Sequence, residues 1–188
     1  RTAPLSRGSF GQCKGSLMRR TVIVVLALAG FAFLWRVVPH DFNMTPMGAL
    51  ALFAGAYLRQ PLARVLVPLA TLVASDLILG FHDTALYVYG AFAVIALGGV
   101  LLRQRGLLAH TGGAVAAALL FYAVTNFGVW AAGVLYPADA SGLLASYAAG
   151  LPFLWKTLAG NVFFTVLFFA VFQLVERYQP HTQSTESR

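Results

Sequence analysis

The sequence predicts an all-α membrane protein: a bundle of six transmembrane helices, both termini in the cytoplasm, with a short interfacial helix before the last span. Three observations predict it. Of 188 residues, 59% are hydrophobic and 10% charged, and the mean hydropathy is +0.76. A soluble domain carries about 25% charged residues, so the charges here are too few to coat a water-facing surface. The apolar residues fall in runs close to the ~20 that a helix needs to cross the hydrocarbon core. Basic residues punctuate those runs in an alternating pattern.

The runs are residues 21–38, 46–58, 62–80, 85–102, 113–135 and 157–175. The second, 46–58, is short; at 1.5 Å per residue it covers about 20 Å. It must tilt into the bundle or be continued by the extended stretch before it. Thr45 and Pro46 suit the cap and first position of that helix, and Pro61 opens the third in the same way. Pro68 should kink the third helix, because it lacks the N–H of a helical hydrogen bond. The apolar stretch 141–151 is too short to span, and Pro152 separates it from the sixth run.

Residues 1–17 are polar and begin without Met, and Met18-Arg19-Arg20 before an apolar run looks like a membrane-protein start. This divides the chain into a disordered tail or translated upstream sequence at 1–17, a six-helix domain at 18–178 and a disordered cytoplasmic tail at 179–188. A cleaved signal peptide is the alternative reading of the start; the apolar run continues to Trp35, which favours a retained helix.

With the N-terminus inside, the inner loops collect Arg19, Arg20, Arg59, Arg64, Arg103, Arg105 and Arg177, while the outer side holds Arg36 and Lys156. That is the positive-inside distribution. It also argues against nucleic acid as the reason for the net charge of +7, since the basic residues form no single patch. Trp35, Trp130, Tyr136 and Trp155 fall near outer boundaries, the depth that amphipathic rings prefer. Cys13 is the lone cysteine, and no Cys/His spacing resembles a metal site.

Polar side chains are costly in lipid and turn toward the bundle interior. Here they gather toward the outer side: Asn43, Thr45, Asp76, His82, Asp83, Tyr87 and Tyr89, then Thr125 and Asn126, then Lys156 and Asn161. This asymmetry predicts a polar pocket open outward and closed below by apolar packing. Asp76 reads either as a ligand contact or counter-ion of Lys156, or as a packing hydrogen bond. Asn126 and Asn161 read either as ligand contacts or as interhelical glue. Lys156 would meet a ligand anion or snorkel to headgroups. His40-Asp41 and His82-Asp83 read as solvated loop residues before metal ligands. Gly48, Ala51 and Gly55 form a small-residue stripe that admits a close helix, either within the bundle or from a partner subunit. The chain has no P-loop, Gly-rich dinucleotide turn, G-x-S-x-G or H-E-x-x-H, so neither ATP hydrolysis nor a cofactor is expected.

One long signature is Pro39-x-x-Phe42-Asn43-x-Thr45-Pro46-x-Gly48-Ala49-Leu50-Ala51-Leu52-Phe53-Ala54-Gly55-Ala56. Others are Ser75-Asp76-Leu77-x-x-Gly80-Phe81-His82, Thr125-Asn126-Phe127-Gly128-Val129-Trp130, Tyr136-Pro137 and Gly150-Leu151-Pro152-Phe153. Over residues 39–161 the chain resembles a family of small bacterial membrane proteins of unknown function labelled as transport proteins. That family is similar in architecture to the S components of energy-coupling-factor vitamin transporters. The resemblance implies a bacterial inner-membrane protein with an outward ligand pocket, docked through small residues onto a transmembrane coupling subunit that works with ATPases. The Met-x-His start of nickel and cobalt S components is missing after Met18, so a metal-specific member is not implied.

The function expected is therefore capture of a small organic molecule, a vitamin or its precursor, for transport. Asn43, Thr45, Asp76, Asn126, Trp130, Lys156 and Asn161 would form the pocket. Asp76 and Lys156 would supply charge, the asparagines orientation and Trp130 an apolar wall. Two alternatives stand beside it. One is a membrane-embedded enzyme using Asp76 and His82 as acid and base. The other is a scaffold that only assembles partner membrane proteins.

Overall fold

A computed structural model describes residues 8–39 and 43–177. The described chain is helical throughout, with six helices: α1 (Gly8–Val37), α2 (Met47–Tyr57), α3 (Pro61–Leu79), α4 (Ala85–Gly98), α5 (Leu107–Ala131) and α6 (Ala140–Arg177). A 3-10 turn, Gly99–Leu102, extends α4. Helix α1 takes in residues 8–17, which the sequence reading assigned to a tail. Residues 1–7, the tail expected at 179–188 and the His40-Asp41-Phe42 segment lie outside the described residues.

Five helices are long and apolar enough to cross a membrane. Their outward faces carry bare aliphatic side chains, with Leu86 79% and Leu108 87% exposed. Apolar surface of this extent is shed from water only by a membrane or a partner, and the chain is read as a multi-pass membrane protein.

Helix α2 is different. Its 11 residues reach only about 16 Å, and every residue from Met47 to Ala56 is buried. It contacts all five other helices. It starts beside the C-terminal end of α1, where the Trp35 indole donates to the Met44 carbonyl at 2.9 Å. It ends beside the start of α5, where Tyr57 stacks on His110. Helix α2 begins one residue after Pro46, and no side chain caps it.

An aromatic column runs along α2 and α6. Trp35 packs edge-on against Phe164 at 5.0 Å, Phe53 on Phe172 at 5.4 Å and Tyr57 on Phe172 at 4.3 Å. Aromatic pairs at 4.5–7 Å add about 0.5–1.5 kcal/mol each beyond area burial. This column fills the middle of the bundle and the end near Arg59.

Two expectations change. The short interfacial helix does not exist as a separate element: 141–151 and the sixth span are one helix of 38 residues, with Pro152 inside it. The stretch is fastened along α5. Tyr122 donates to the Tyr147 carbonyl at 2.6 Å, Tyr147 to the Ala123 carbonyl at 2.8 Å and Ser146 to the Asn126 carbonyl at 2.8 Å. Proline removes one helical hydrogen bond, and packing against a neighbour outweighs that loss. The small-residue stripe is also enclosed. Gly48, Ala51 and Gly55 are buried inside the chain's own bundle, and Gly55 faces the Ala96 carbonyl and the Cα of Gly99. No surface of α2 is left there for a partner.

Candidate ligand cavity

A cavity of about 420 Å³ lies between α2, α4, α5 and α6, at the end of the bundle where α1 and α3 finish. Its size falls within the ~300–1,000 Å³ of small-molecule sites. Each wall follows from a local feature of the chain. Asn43 sits in the left-handed region at φ 62°, a conformation that asparagine tolerates better than other side-chain-bearing residues. That turn brings Asn43 and Thr45 to the mouth before α2 begins. From α5 come Tyr122, Thr125 and Asn126, and from α6 Ser146, Thr157 and Asn161. Val88, Phe92, Ile95, Phe121 and Phe153 supply apolar wall.

The two deepest amides are held alike. Asn126 donates from Nδ2 to the Tyr122 carbonyl at 2.8 Å, and its side chain lies against Gly150 of α6. Asn161 donates from Nδ2 to the Ala114 carbonyl at 3.4 Å, and its side chain lies against Gly48 of α2. In each case a Cβ on the glycine would collide with the amide. Each amide group is thus wedged between two helices and edges the cavity at the same time. Asn161 thus bonds across helices, Asn126 bonds to its own helix, and both line the cavity.

Charge enters through Arg36, which lines the cavity. Its Nη2 meets Asp76 Oδ1 at 2.5 Å, and its Nε donates to Ser75 Oγ at 2.7 Å. The Tyr89 hydroxyl donates to Asp76 Oδ2 at 2.6 Å. Asp76 is 3% exposed, so burial is matched by three hydrogen bonds made by one pair of side chains. Both carboxylate oxygens are engaged by protein groups. The cation on Asp76 is therefore Arg36, where the sequence reading named Lys156. The reason is placement: Arg36 ends α1 alongside the last turn of α3, and Lys156 belongs to α6.

Of the seven residues expected to form the pocket, Asn43, Thr45, Asn126 and Asn161 line the cavity. Asp76 stands behind Arg36, and neither Lys156 nor Trp130 is in the lining. The Trp130 indole donates to the carbonyls of Pro137 and Asp139 at 3.0 and 3.2 Å, tying down the α5–α6 turn. His82 lines the mouth and is exposed. Arg36, Tyr122, Ser146 and Thr157 were not among the expected site residues. For Arg36 a signal existed: it is the one arginine on the side that the charge rule leaves nearly free of them. An arginine that breaks the positive-inside pattern needs a local partner.

The opposite end gathers Arg59, Arg64, Arg103 and Arg105. Arg64 donates to the carbonyls of Leu58 and Arg59 at 2.8 and 3.0 Å, closing the α2–α3 turn. Arg59, Arg103 and Arg105 share a second cleft with Met18, Thr21 and Val22 of α1 and the end of α6.

No curated protein and no solved structure matches the chain. A family model does, over residues 16–183. The chain belongs to that family, DUF6580, a family of unknown function.

Proposed function

We propose that the chain is a substrate-capturing transport protein of the bacterial inner membrane that takes a small organic molecule of vitamin size into the cavity beside Asn126 and Asn161. The observation that carries this is the cavity itself: about 420 Å³, lined by convergent amides and hydroxyls within an otherwise apolar bundle. Polar groups inside lipid are costly unless they serve a ligand or one another. The basic end would face the cytoplasm and the cavity end the outside, in line with the arginine distribution. A binding role is favoured over an acid–base enzyme, because the Asp76 carboxylate is occupied by Arg36 and Tyr89. A coupling subunit with ATPases remains part of the proposal. It would have to meet faces other than α2, which the chain's own helices enclose.

The test is mass spectrometry of small molecules released from the full chain purified in mild detergent, followed by thermal unfolding with a vitamin panel. One compound at near-stoichiometric amount is expected, and adding it should raise the unfolding temperature. Thr157→Val removes a lining hydroxyl whose hydrogen bond is to its own helix, so it should keep the fold and lower occupancy. A folded protein that releases nothing and is stabilised by no panel member would defeat the proposal.

A further inference from the structure

The second cleft, of about 760 Å³, lies at the opposite end of the bundle from the ligand cavity. One wall is basic: Arg59 follows α2, and Arg103 and Arg105 come from the turn into α5. That turn is held by backbone hydrogen bonds from Arg103 N–H to the Val100 carbonyl at 3.2 Å and from Arg105 N–H to the Leu102 carbonyl at 3.0 Å. Between the two arginines, Gln104 adopts φ 61°, a left-handed conformation that persists only where surrounding structure holds it. Glu176 is the one carboxylate among the described lining residues.

The rest of the lining is mixed. Met18 and Val22 of α1, Leu58 and Phe172 bring apolar surface, interleaved with Thr21, Tyr57, Gln173 and Glu176. Met18 and Val22 are themselves exposed, as are Ile23 and Leu26 on the same helix, so the cleft opens onto a surface suited to acyl chains. It combines three guanidinium groups against one carboxylate with an oily flank.

We infer that this cleft binds the headgroup phosphate of an anionic phospholipid, its acyl chains lying along α1. Guanidinium matches phosphate in a forked, two-bond geometry. Basic pockets between transmembrane helices recognise such headgroups, and each Arg near the surface adds attraction to an anionic leaflet. A soluble phosphate would make no use of Met18 and Val22, and a zwitterionic lipid gains less from the excess of arginine. The inference is independent of what the other cavity holds.

The experiment uses the full chain in mild detergent, with native mass spectrometry and thermal unfolding in the presence of phosphatidylglycerol, phosphatidylcholine or inorganic phosphate. Phosphatidylglycerol should stay bound and raise the unfolding temperature, and phosphatidylcholine should do neither. The double variant Arg103→Gln/Arg105→Gln should lower phosphatidylglycerol retention about tenfold or more, without changing the unfolding temperature in detergent alone. Arg59→Gln, outside that turn, is the second variant if the double one does not fold, and retention should fall in the same direction. Equal stabilisation by inorganic phosphate would overturn the lipid in favour of a soluble anion. Equal retention of both lipids, or retention unchanged in the variants, would overturn the site.

Discussion

The two ends of α2 use glycine for opposite purposes. In its first turn Gly48 makes room for the amide of Asn161, a side chain that edges the ligand cavity. In its last turn Gly55 makes room for main chain, the Ala96 carbonyl and Gly99. A glycine that admits a side chain leaves polar atoms and adjustable space beside it. A glycine that admits backbone leaves neither, and the helices close. The same small-residue stripe therefore opens a site at the start of α2 and seals α2 against the end of α4 at its last turn.

The contrast is tested most directly at the seal. Gly55→Ala places a Cβ against backbone atoms of the Gly99–Leu102 turn and the α4 end, which cannot rotate away. Helix propensity favours alanine by about 1 kcal/mol, but overpacking costs about 1–3 kcal/mol or more. With backbone as the obstacle, the upper part of that range wins, and a clear fall in unfolding temperature is expected. Gly48→Ala meets only an amide that can turn, so it should cost less stability and act mainly on ligand occupancy. Gly90, with open space where a Cβ would stand, is the control, and Gly90→Ala should be neutral or slightly stabilising. Equal losses at Gly48 and Gly55 would break the contrast between site and seal.

How much of this was readable from sequence follows from what each signal depends on. Helix positions came from hydropathy, which depends on the solvent, and Pro61 marks the start of α3 as read. The join of 141–151 to the last span was hidden. Pro152 is a genuine local stop signal, and the contacts that override it, Tyr122 with Tyr147 and Ser146 with Asn126, pair residues about twenty positions apart. Asn126 and Asn161 were visible as lining because an amide in an apolar run has few other uses. Thr157 and Ser146 were not, because a hydroxyl can bond its own helix and so carries little cost. Asp76 was visible as a group needing a partner, but the choice between Arg36 and Lys156 depends on which helix ends meet.

A second test probes how the cavity end is held. The Arg36–Asp76 pair is almost wholly buried, with side chains 17% and 5% exposed. Removing one member of a buried pair costs about 3–5 kcal/mol, largely through the charge left behind. Arg36→Met should therefore destabilise strongly. Asp76→Asn should cost less, since an amide oxygen can still accept from Tyr89. The double variant should be more stable than Arg36→Met alone, because no uncompensated carboxylate remains. Chemical unfolding in detergent measures all three. Additive losses would show that the two side chains are not coupled and that the end is held by packing alone.

The smallest effect belongs to the rim of the same end, where α6 begins. Asp139 accepts hydrogen bonds from Ser141 Oγ at 2.7 Å and the Gly142 N–H at 2.8 Å. The first of these, then the second, holds its carboxyl below the usual value of 3.8. A carboxylate beside the first N–H groups of a helix is favoured in its charged form. A group whose pKa is lower folded than unfolded contributes stability above the unfolded value, and that contribution is lost as the pH falls through the folded one. Thermal unfolding should therefore show no contribution from Asp139 titration between neutral pH and about pH 5, and a small loss beginning near pH 4. Asp139→Asn keeps an acceptor but no charge, so it should flatten the acid limb and lower the neutral-pH value by about the small amount that the native chain loses in acid. Because the residue is exposed, the effect should also shrink in high salt. Arg36 and Asp76 should respond far less to salt, since the bulk ions do not reach a buried pair. A strong salt dependence of that pair would mean that the cavity end is open to solvent as far down as Asp76.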